Sequence, residues 1–469
     1  MRRAWIGIWI ALPSRSSSLF MNDGFKNATA PAERYGSLLM LALSSLVAGV
    51  ATGLVGAAFR LSLVWADRLR DILVTWNHDR SIPGFLLVIS SCATATGAAA
   101  WLVRRFSPHA SGSGIPHVEA VVKEELLPVP FALIPVKFLG GVLSIGSGLA
   151  LGREGPSVHM AASLAHLVGK VFRRGWPDCR VLLAAGGGAG LATAFNAPIA
   201  GAVFVLEELV RRFETRIAIA ALGSSATAIS VARLFLGNPP EFRVGPFPYP
   251  SSELIALFFI LGACAGFLAV AYNNTLVRTL SAADRLGQWP VELRAAFVGG
   301  GVGMLAWFAP SLVGGGDLLT QNTLSGLVAL GALPLVFLLR FGLGSVSYAP
   351  RTPGGLFAPL LVLGAQIGLL FGVLCRLTFP GLGLPSEAFA VGGMAAFFTG
   401  VVRTPVTGTV LIIEMTSSFT MLLPMLGACF VAMLVPAVLG NPPIYDSLRE
   451  RAQPGEPRGA GAYHESDAA

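Results

Sequence analysis

Long apolar stretches separated by short polar ones dominate the chain. Five of them reach or approach the roughly 20 apolar residues that a helix needs to cross a bilayer: Tyr35–Val64, Ile82–Val103, Leu254–Leu276, Ala295–Val313 and Met421–Leu439. The pattern predicts a first helix, free of proline, from about Glu33 to Asp71 and a second over about Pro83–Arg105. The first is longer than a perpendicular span requires, so we expect it to be strongly tilted or to extend beyond the bilayer.

Between these stretches, glycine, serine and proline interrupt apolar segments that are too short to span alone. The pattern predicts helix breaks at Ser111–Pro116, Pro128–Pro135, Gly146–Pro156, Gly186–Gly190 and Asn196–Pro198. Irregular backbone at membrane depth is tolerated only where it is buried in protein or lines a cavity. Broken helices are also the best sequence indicator of a transporter's binding site. The sequence therefore predicts an internal site for a transported solute.

Composition agrees with a membrane protein. Of 469 residues, 54% are hydrophobic and 12% are charged, with a mean hydropathy of +0.69, whereas globular chains carry about 25% charged residues. The net charge of +8 comes mostly from arginines at the ends of apolar segments, which typically set topology, and no soluble basic face suggests nucleic acid as a partner. Five scattered cysteines and six histidines form no CxxC, HxxxH or HExxH motif, so no metal site or disulfide framework is expected.

The second half of the chain repeats the first. Ala197–Glu207 aligns with Thr404–Glu414, keeping proline, glycine and glutamate in register. Further upstream, Gly152–Pro156 falls on Gly355–Pro359, and each opens an apolar run as Gly-x-x-x-Pro. We therefore expect two transmembrane repeats, over 35–237 and 250–445. Inverted-topology repeats are common in transporters and place the binding site at their interface.

The two ends of the chain are expected to lie outside the repeats. Residues 1–34 are expected to form an amphipathic or disordered cytosolic leader, and residues 446–469 a short polar C-terminal tail. Met1–Leu12 superficially resembles a secretory signal peptide, but a convincing cleavage site is missing and a Ser/Asn-rich stretch follows. A cytosolic leader is therefore the favoured interpretation.

The segment Gly152-Arg153-Glu154-Gly155-Pro156 is the leading candidate for chemistry. Its glycines and proline break one helix and begin another, and Pro156 suits a first turn because its missing N–H would be unpaired there. An acidic residue is costly inside a membrane and is rarely there without a function. Since a helix N-terminus binds anions, Glu154 would compete with an anionic substrate for that terminus.

Two hydroxyl groups are further candidates. In Gly112-Ser113-Gly114, the glycines allow a ligand to approach the backbone closely, and the Ser113 hydroxyl can donate one hydrogen bond. An ordinary capping serine is the alternative. Tyr445, after the last apolar run, also has a hydroxyl donor, but a tyrosine at the membrane interface explains the residue as well from the sequence alone.

Gly355–Pro359 lacks polar side chains at its centre. It offers only backbone N–H groups, from Leu356 and Phe357, at the start of a helix that carries roughly half a positive charge there. Such a turn could hold a small anion without a fixed cation, or it could simply be a tight turn in a packed bundle.

The first repeat's Pro/Gly/Glu motif ends in Glu207, and a second acid, Glu208, follows it directly. Glu207 has a repeat-mate, Glu414, and a structural ion pair or a capping role is expected for it. Glu208 has none, because Met415 stands in the corresponding place. A singular acid beside a duplicated one is the better candidate for handling a proton.

Taken together, these motifs resemble the CLC family of chloride channels and chloride/proton antiporters. The resemblance covers about residues 35–448 and rests on signatures that occur in the family's order. These are Gly112–Pro116, Pro135–Phe138, Gly152–Pro156, Phe195–Pro198 through Glu207-Glu208, Gly354–Pro359 and Pro443–Tyr445.

The resemblance implies a role for each matching residue. The implied ligands of a central chloride are the hydroxyl groups of Ser113 and Tyr445 and the backbone N–H groups of Leu356 and Phe357. Glu154 matches the outer gating glutamate, and Glu208 matches the inner proton-transfer glutamate found in antiporters. The serine at 113 matches the chloride-selective pattern rather than the nitrate-preferring one. The resemblance also implies a homodimer with one pathway in each subunit.

We therefore predict an all-α polytopic membrane protein with two inverted-topology repeats of tilted and broken helices and an anion site at the repeat interface. The predicted function is chloride/proton antiport in the inner (plasma) membrane, without a cofactor. A passive chloride channel of the same family is the nearest alternative. An intramembrane enzyme using Glu154 or Glu208 as a base is remote, because no nucleophile or metal partner accompanies them. Arg351 stands where the family usually has small residues, so its charge could alter anion entry.

Overall fold

The computed structural model describes residues 31–381 and 383–452, and these are almost entirely helical. The chain divides into two units, Met1–Met40 and Leu41–Ala469. The helices are α1 (Pro31–His78), α2 (Ser81–Phe106), α3 (Ile115–Val122), α4 (Leu133–Gly146), α5 (Glu154–Val171), α6 (Trp176–Phe195), α7 (Pro198–Phe204), α8 (Thr215–Leu236), α9 (Ser252–Arg285), α10 (Val291–Phe308), α11 (Asp317–Leu324), α12 (Leu333–Tyr348), α13 (Phe357–Thr378), α14 (Ser386–Val402), α15 (Pro405–Thr416), α16 (Leu422–Val438) and α17 (Ile444–Ala452). A π-helical turn, Val205–Leu209, continues α7. The predicted all-α class is confirmed.

Seven helices in the described part of the chain are long and apolar enough to cross a membrane. They are Ser37–His78, Ser81–Phe106, Thr215–Leu236, Leu254–Arg285, Val291–Phe308, Phe357–Thr378 and Phe419–Val438. α1 has 48 residues, or about 72 Å at about 1.5 Å per residue, well over the roughly 30 Å hydrocarbon core. α13 is different, because 78% of its most apolar window is buried inside the protein. The predicted multi-pass architecture is confirmed, and α13 lies at its centre.

The series of elements from α1 to α8 recurs from α9 to α16. In each half, two long helices are followed by a short 3-10 turn, at Pro108–Ala110 and Pro310–Leu312, and then by a helix of eight residues, α3 or α11. The pairs α4 and α12, α5 and α13, α6 and α14, α7 and α15, and α8 and α16 then follow in the same order. Of the predicted leader, only residues 31–34 are described, in α1; of the predicted tail, 446–452 belong to α17.

The two halves cap each other's helices. The Glu207 carboxylate, at the end of the first half, accepts the backbone N–H of Thr407 at 2.6 Å and that of the preceding residue at 3.0 Å, in the first turn of α15. Its repeat-mate Glu414 accepts the N–H of Ala200 at 2.7 Å and that of the preceding residue at 3.1 Å, in the first turn of α7. The capping role expected of Glu207 is confirmed. An approximate two-fold axis between the two halves would produce this reciprocal pair of caps.

One predicted helix break is wrong. The glycines at Gly186–Gly190 lie inside α6, which runs without interruption from Trp176 to Phe195. They serve close packing instead. A Cβ on Gly186 would lie 2.4 Å from the Ala165 Cβ, and one on Gly190 would lie 2.4 Å from the Ser157 carbonyl oxygen. Glycine is thus required here because α5 approaches α6 closely.

Candidate functional site

The first turns of α5 and α13 meet at the centre of the protein. Gly152 and Gly355, which precede these helices in the two repeats, form an isolated antiparallel bridge. The Gly152 N–H donates to the Gly355 carbonyl oxygen at 2.8 Å, and the reverse bond is 2.7 Å long. Pro156 and Pro359 occupy the third positions of the two helices, as the sequence predicts for a first turn. The repeat-mates therefore bring two helix N-termini together.

The Glu154 carboxylate lies at the N-terminus of α13. Its Oε1 accepts the Phe357 backbone N–H at 2.6 Å, its Oε2 has no hydrogen-bond partner among the described residues, and the side chain is fully buried. A Cβ on Gly152 would lie 2.0 Å from Oε2, and one on Gly355 would lie 2.0 Å from Oε1. Glycine at both positions leaves the space that this carboxylate occupies.

Two unpaired hydroxyl groups lie beside this carboxylate site. Ser113 and Tyr445 are both buried, and neither hydroxyl has a well-formed hydrogen bond among the described residues. The Tyr445 phenol faces Ser113, and its ring lies 6.1 Å from that of Phe357. Leu356, which precedes Phe357, is fully buried. The structure thus brings Ser113, Tyr445 and the start of α13 into one region.

The loop that presents Ser113 has two supports that the sequence analysis did not identify. The fully buried Lys137 on α4 donates to the carbonyl oxygens of Gly112 at 2.7 Å and Ala110 at 3.0 Å. The Tyr348 phenol oxygen accepts the Ser113 backbone N–H at 3.1 Å. The sequence does contain an indication of the role of Lys137, because a lysine inside an apolar helix is rare in membranes and is normally paired.

The close packing around Ser113 also explains its two flanking glycines. Gly112 and Gly114 have φ values of +59° and +88°, in the left-handed region where glycine is favoured. A Cβ on Gly114 would lie 2.2 Å from His159 Nδ1, and one on Gly155 would lie 2.5 Å from the Ser113 hydroxyl oxygen.

Glu208 lies in the π-helical turn Val205–Leu209, a rare geometry that is frequent at functional sites. Its side chain is buried and lies 3.6 Å from the Arg211 guanidinium. It borders an open cavity of about 520 Å³, which Arg211, Arg403 and Pro443 also line. Glu208 therefore connects the protein interior to a space large enough for water.

A second buried acid, Glu119, was not singled out from the sequence. It lies on α3 and is fully buried, and its Oε1 contacts Lys123 at 2.6 Å, Arg449 at 2.8 Å and Arg211 at 3.1 Å. The signal for it was an acid within a largely apolar segment, Ile115–Val122. Two of its three cationic partners, Arg211 and Arg449, lie far away in the chain, so the sequence could not identify them.

Arg153 belongs to a separate charge network. It pairs with Glu241, in the loop between α8 and α9, and with Asp317 at 2.9 Å, while Arg60 pairs with Glu241 at 2.8 Å. Burial alone would raise the pKa of the Glu241 carboxyl, but the neighbouring Arg153 and Arg60 outweigh burial and hold that pKa below its ordinary value. This network ties α1, α5 and α11 to the loop.

Arg351, whose role the sequence left open, has a φ of +60° and an exposed side chain. It pairs with Asp284 at 2.9 Å, and Asp284 also holds Arg451 of α17 at 2.5 Å. Its charge is therefore shared with an acid at the end of α9.

Broken helices that meet end to end around buried polar groups, in two repeated halves, define a multi-pass membrane protein with the architecture found in transporters. The family model described as voltage gated chloride channel matches residues 95–437, and the chain belongs to this CLC family. The family consists of transporters and channels, so the protein is not an enzyme.

Individual relatives agree with this membership. The chain is 36% identical over 420 residues to the H(+)/Cl(-) exchange transporter ClcA of Yersinia pseudotuberculosis serotype IB (strain PB1/+), with 88% of each chain covered. It resembles the structure of a slow cyanobacterial Cl⁻/H⁺ antiporter with a TM-score of 0.84 and 31% identity, over 88% of this chain and 97% of that one. A eukaryotic CLC transporter gives a TM-score of 0.71 and 26% identity, over 88% and 74%. The predicted family is confirmed.

Proposed function

We propose that this protein is a secondary-active chloride/proton antiporter in which the Glu154 carboxylate and chloride alternate at one site. The observation that carries the proposal is the position of this buried carboxylate, 2.6 Å from the Phe357 N–H at the start of α13. Free N–H groups and the helix dipole favour an anion there. The similarity to the H(+)/Cl(-) exchange transporter ClcA and to the cyanobacterial Cl⁻/H⁺ antiporter also supports this function.

Protonation of Glu154 is the proposed step that admits chloride. A hydrogen bond to a charged acceptor is about twice as strong as one to a neutral acceptor, so the protonated side chain holds the α13 N-terminus weakly and leaves. Chloride then takes its place, and deprotonation returns the carboxylate. Because one group both carries the proton and displaces the chloride, the two fluxes are linked.

The proposed chloride ligands are the Ser113 and Tyr445 hydroxyl groups and the N–H groups of Leu356 and Phe357. Two buried hydroxyls without strong partners support this assignment, because such groups are normally hydrogen-bonded. Glu208 is proposed to exchange protons with water in the adjoining cavity and to pass them toward Glu154. Its burial beside an open cavity of about 520 Å³ supports that role.

Flux measurements on reconstituted liposomes test the proposal. A chloride gradient should drive protons uphill in the wild type, recorded as a change in external pH. Chloride flux without uphill proton movement would favour a passive channel instead. Glu154→Gln should retain chloride flux and lose proton coupling, and continued proton pumping by this variant would refute its gating role.

A matched pair of variants tests the inner acid. Glu208→Gln should reduce proton flux while chloride flux persists. Glu207→Gln, at the adjacent helix cap, should keep the wild-type ratio of the two fluxes. Equal effects of the two substitutions on that ratio would contradict the role of Glu208.

We also propose that the protein works as a homodimer in the inner (plasma) membrane. Bacterial relatives and seven apolar helices support the location, and the family resemblance implies the assembly. Native mass spectrometry from detergent should give a mass of twice the 48.8 kDa chain, and a purely monomeric species would contradict the assembly.

A further inference from the structure

Four charged side chains close a ring beside the cavity. Arg211 contacts Glu119 at 3.1 Å and Asp446 at 2.9 Å, while Arg449 contacts Glu119 at 2.8 Å and Asp446 at 3.4 Å. Each arginine therefore bridges both acids. We refer to Glu119, Arg211, Asp446 and Arg449 as the charge ring.

The charge ring joins three elements that carry residues of the proposed site. Glu119 lies on α3, directly after the Ser113 loop, and Asp446 follows Tyr445 in α17. Arg211 comes after the π-helical turn and lies 3.6 Å from Glu208. The ring thus connects the two proposed chloride-coordinating hydroxyls to the proposed proton carrier.

Arg211 is the member that faces all three acids. The charged groups around Glu208 are Glu119, Arg211, Asp446 and Lys123. When Glu208 is ionised, three carboxylates share Arg211. When Glu208 is protonated, only the two ring acids retain a charge to attract it. Its hold on Asp446 therefore depends on whether Glu208 carries a proton.

We propose that Arg211 couples proton occupancy of Glu208 to the position of Tyr445, a role that rests on the proposed antiport function. With Glu208 protonated, Arg211 interacts only with the ring acids Glu119 and Asp446. Because Asp446 follows Tyr445 in α17, this interaction holds Tyr445 against Ser113 and closes the chloride path beside the cavity. With Glu208 ionised, Arg211 is drawn toward it and its hold on Asp446 weakens. α17 keeps its contact with Glu119 through Arg449, but Tyr445 is held less firmly and chloride passes it. Arg211 and Asp446 are positioning residues in this scheme.

The ratio of chloride flux to proton flux tests the coupling, because loss of structural support alone would lower both fluxes together. The variants are Asp446→Asn, which detaches Arg211 from α17, Arg211→Gln and Arg211→Lys. We expect the ratio to rise about fivefold or more in the first two, the lower end of typical coupling between sites. Arg211→Lys should be intermediate, since an ammonium cannot bridge two carboxylates as a guanidinium fork does.

The matched control is Arg212→Gln. Arg212 is the adjacent arginine, its side chain is 57% exposed, and it pairs with Glu214 at 2.8 Å. It should keep the wild-type flux ratio. If Arg211→Gln does not fold, as judged by size-exclusion chromatography, Asp446→Asn decides, because it preserves Arg211 and side-chain volume.

The outcomes separate the two proposals. If Asp446→Asn, and Arg211→Gln where it folds, both keep the wild-type ratio of chloride flux to proton flux, the coupling role of Arg211 is overturned. The proposed antiport function would not be affected by that result. Chloride flux without proton movement in the wild type would overturn both. A raised ratio in Arg212→Gln equal to that in Arg211→Gln would also refute the role assigned to Arg211.

Discussion

Gly152→Ala tests whether Glu154 needs the space left by the missing Cβ at position 152, in addition to its hydrogen bond, to stay at the N-terminus of α13. A Cβ at position 152 would lie 2.0 Å from Glu154 Oε2 and 2.5 Å from Oε1. The three atoms nearest to this Cβ all belong to the Glu154 side chain, so the flexible carboxylate can move while the backbone stays. We expect the added methyl group to displace the carboxylate from the α13 N-terminus.

The size of the effect follows from the contact that is lost. The Phe357 N–H donates to Glu154 at 2.6 Å, and a hydrogen bond to a charged group contributes about 1.5–3 kcal/mol. At about 1.4 kcal/mol per factor of ten, the equilibrium constant for Glu154 binding at the α13 terminus should fall roughly 10- to 100-fold. Chloride flux at neutral pH should therefore approach the level that the wild type reaches only in acid, and proton coupling should weaken.

Chloride efflux from liposomes, recorded from acidic to mildly alkaline pH, measures this effect. Gly301→Ala is the matched control, because a Cβ there meets nothing within 4 Å. Adding Gly152→Ala to Glu154→Gln should change little, since both substitutions act through the same side chain. A Gly152→Ala variant that keeps the wild-type pH dependence and proton coupling would refute the reasoning.

Four further substitutions probe the supports of the site. Lys137→Met leaves the buried carbonyl groups of Ala110 and Gly112 without their donor and should lower the free energy of unfolding by about 1–3 kcal/mol. We expect a lower melting temperature and, by calorimetry, weaker chloride binding. Unchanged chloride binding would contradict the supporting role of Lys137. Glu207→Gln and Glu414→Gln should each lower the free energy of unfolding by about 1 kcal/mol. Because each residue caps a helix in the opposite half, the two melting temperatures should fall equally. Very unequal decreases would argue against reciprocal caps. Because its pKa is depressed, the Glu241 carboxylate stabilises the fold above its ordinary titration range and loses this contribution as pH falls through the lowered pKa. Glu241→Gln should therefore lower stability at neutral pH and flatten its decline in acid, and an unchanged stability–pH curve would contradict that.

The sequence predicted the helix starts at α5 and α13 because each is encoded locally, by a Gly-x-x-x-Pro segment that opens an apolar run. It failed at Gly186–Gly190, since glycine serves both to break a helix and to let two helices approach. Only the packing of the neighbouring helix distinguishes these uses. Although α5 directly precedes α6 in the chain, the pattern of residues does not show how closely the two helices approach.

The sequence could not predict ion pairs between residues that lie far apart in the chain. Arg449 and Glu119 are separated by 330 positions, and neither segment contains a signal of the other. Glu119 itself was recognisable as an acid in an apolar helix, by the same argument that identified Glu154. The roles implied by resemblance for Ser113, Glu154, Glu208 and Tyr445 remain predictions that the flux experiments test.

The exchanged caps of α7 and α15 have a consequence for how the chain acquires its structure. Because Glu207 and Glu414 each complete a helix in the opposite half, neither half contains all the hydrogen-bond acceptors that its own helices need. A half made alone would leave the start of α7 or α15 uncapped until the other half is synthesised.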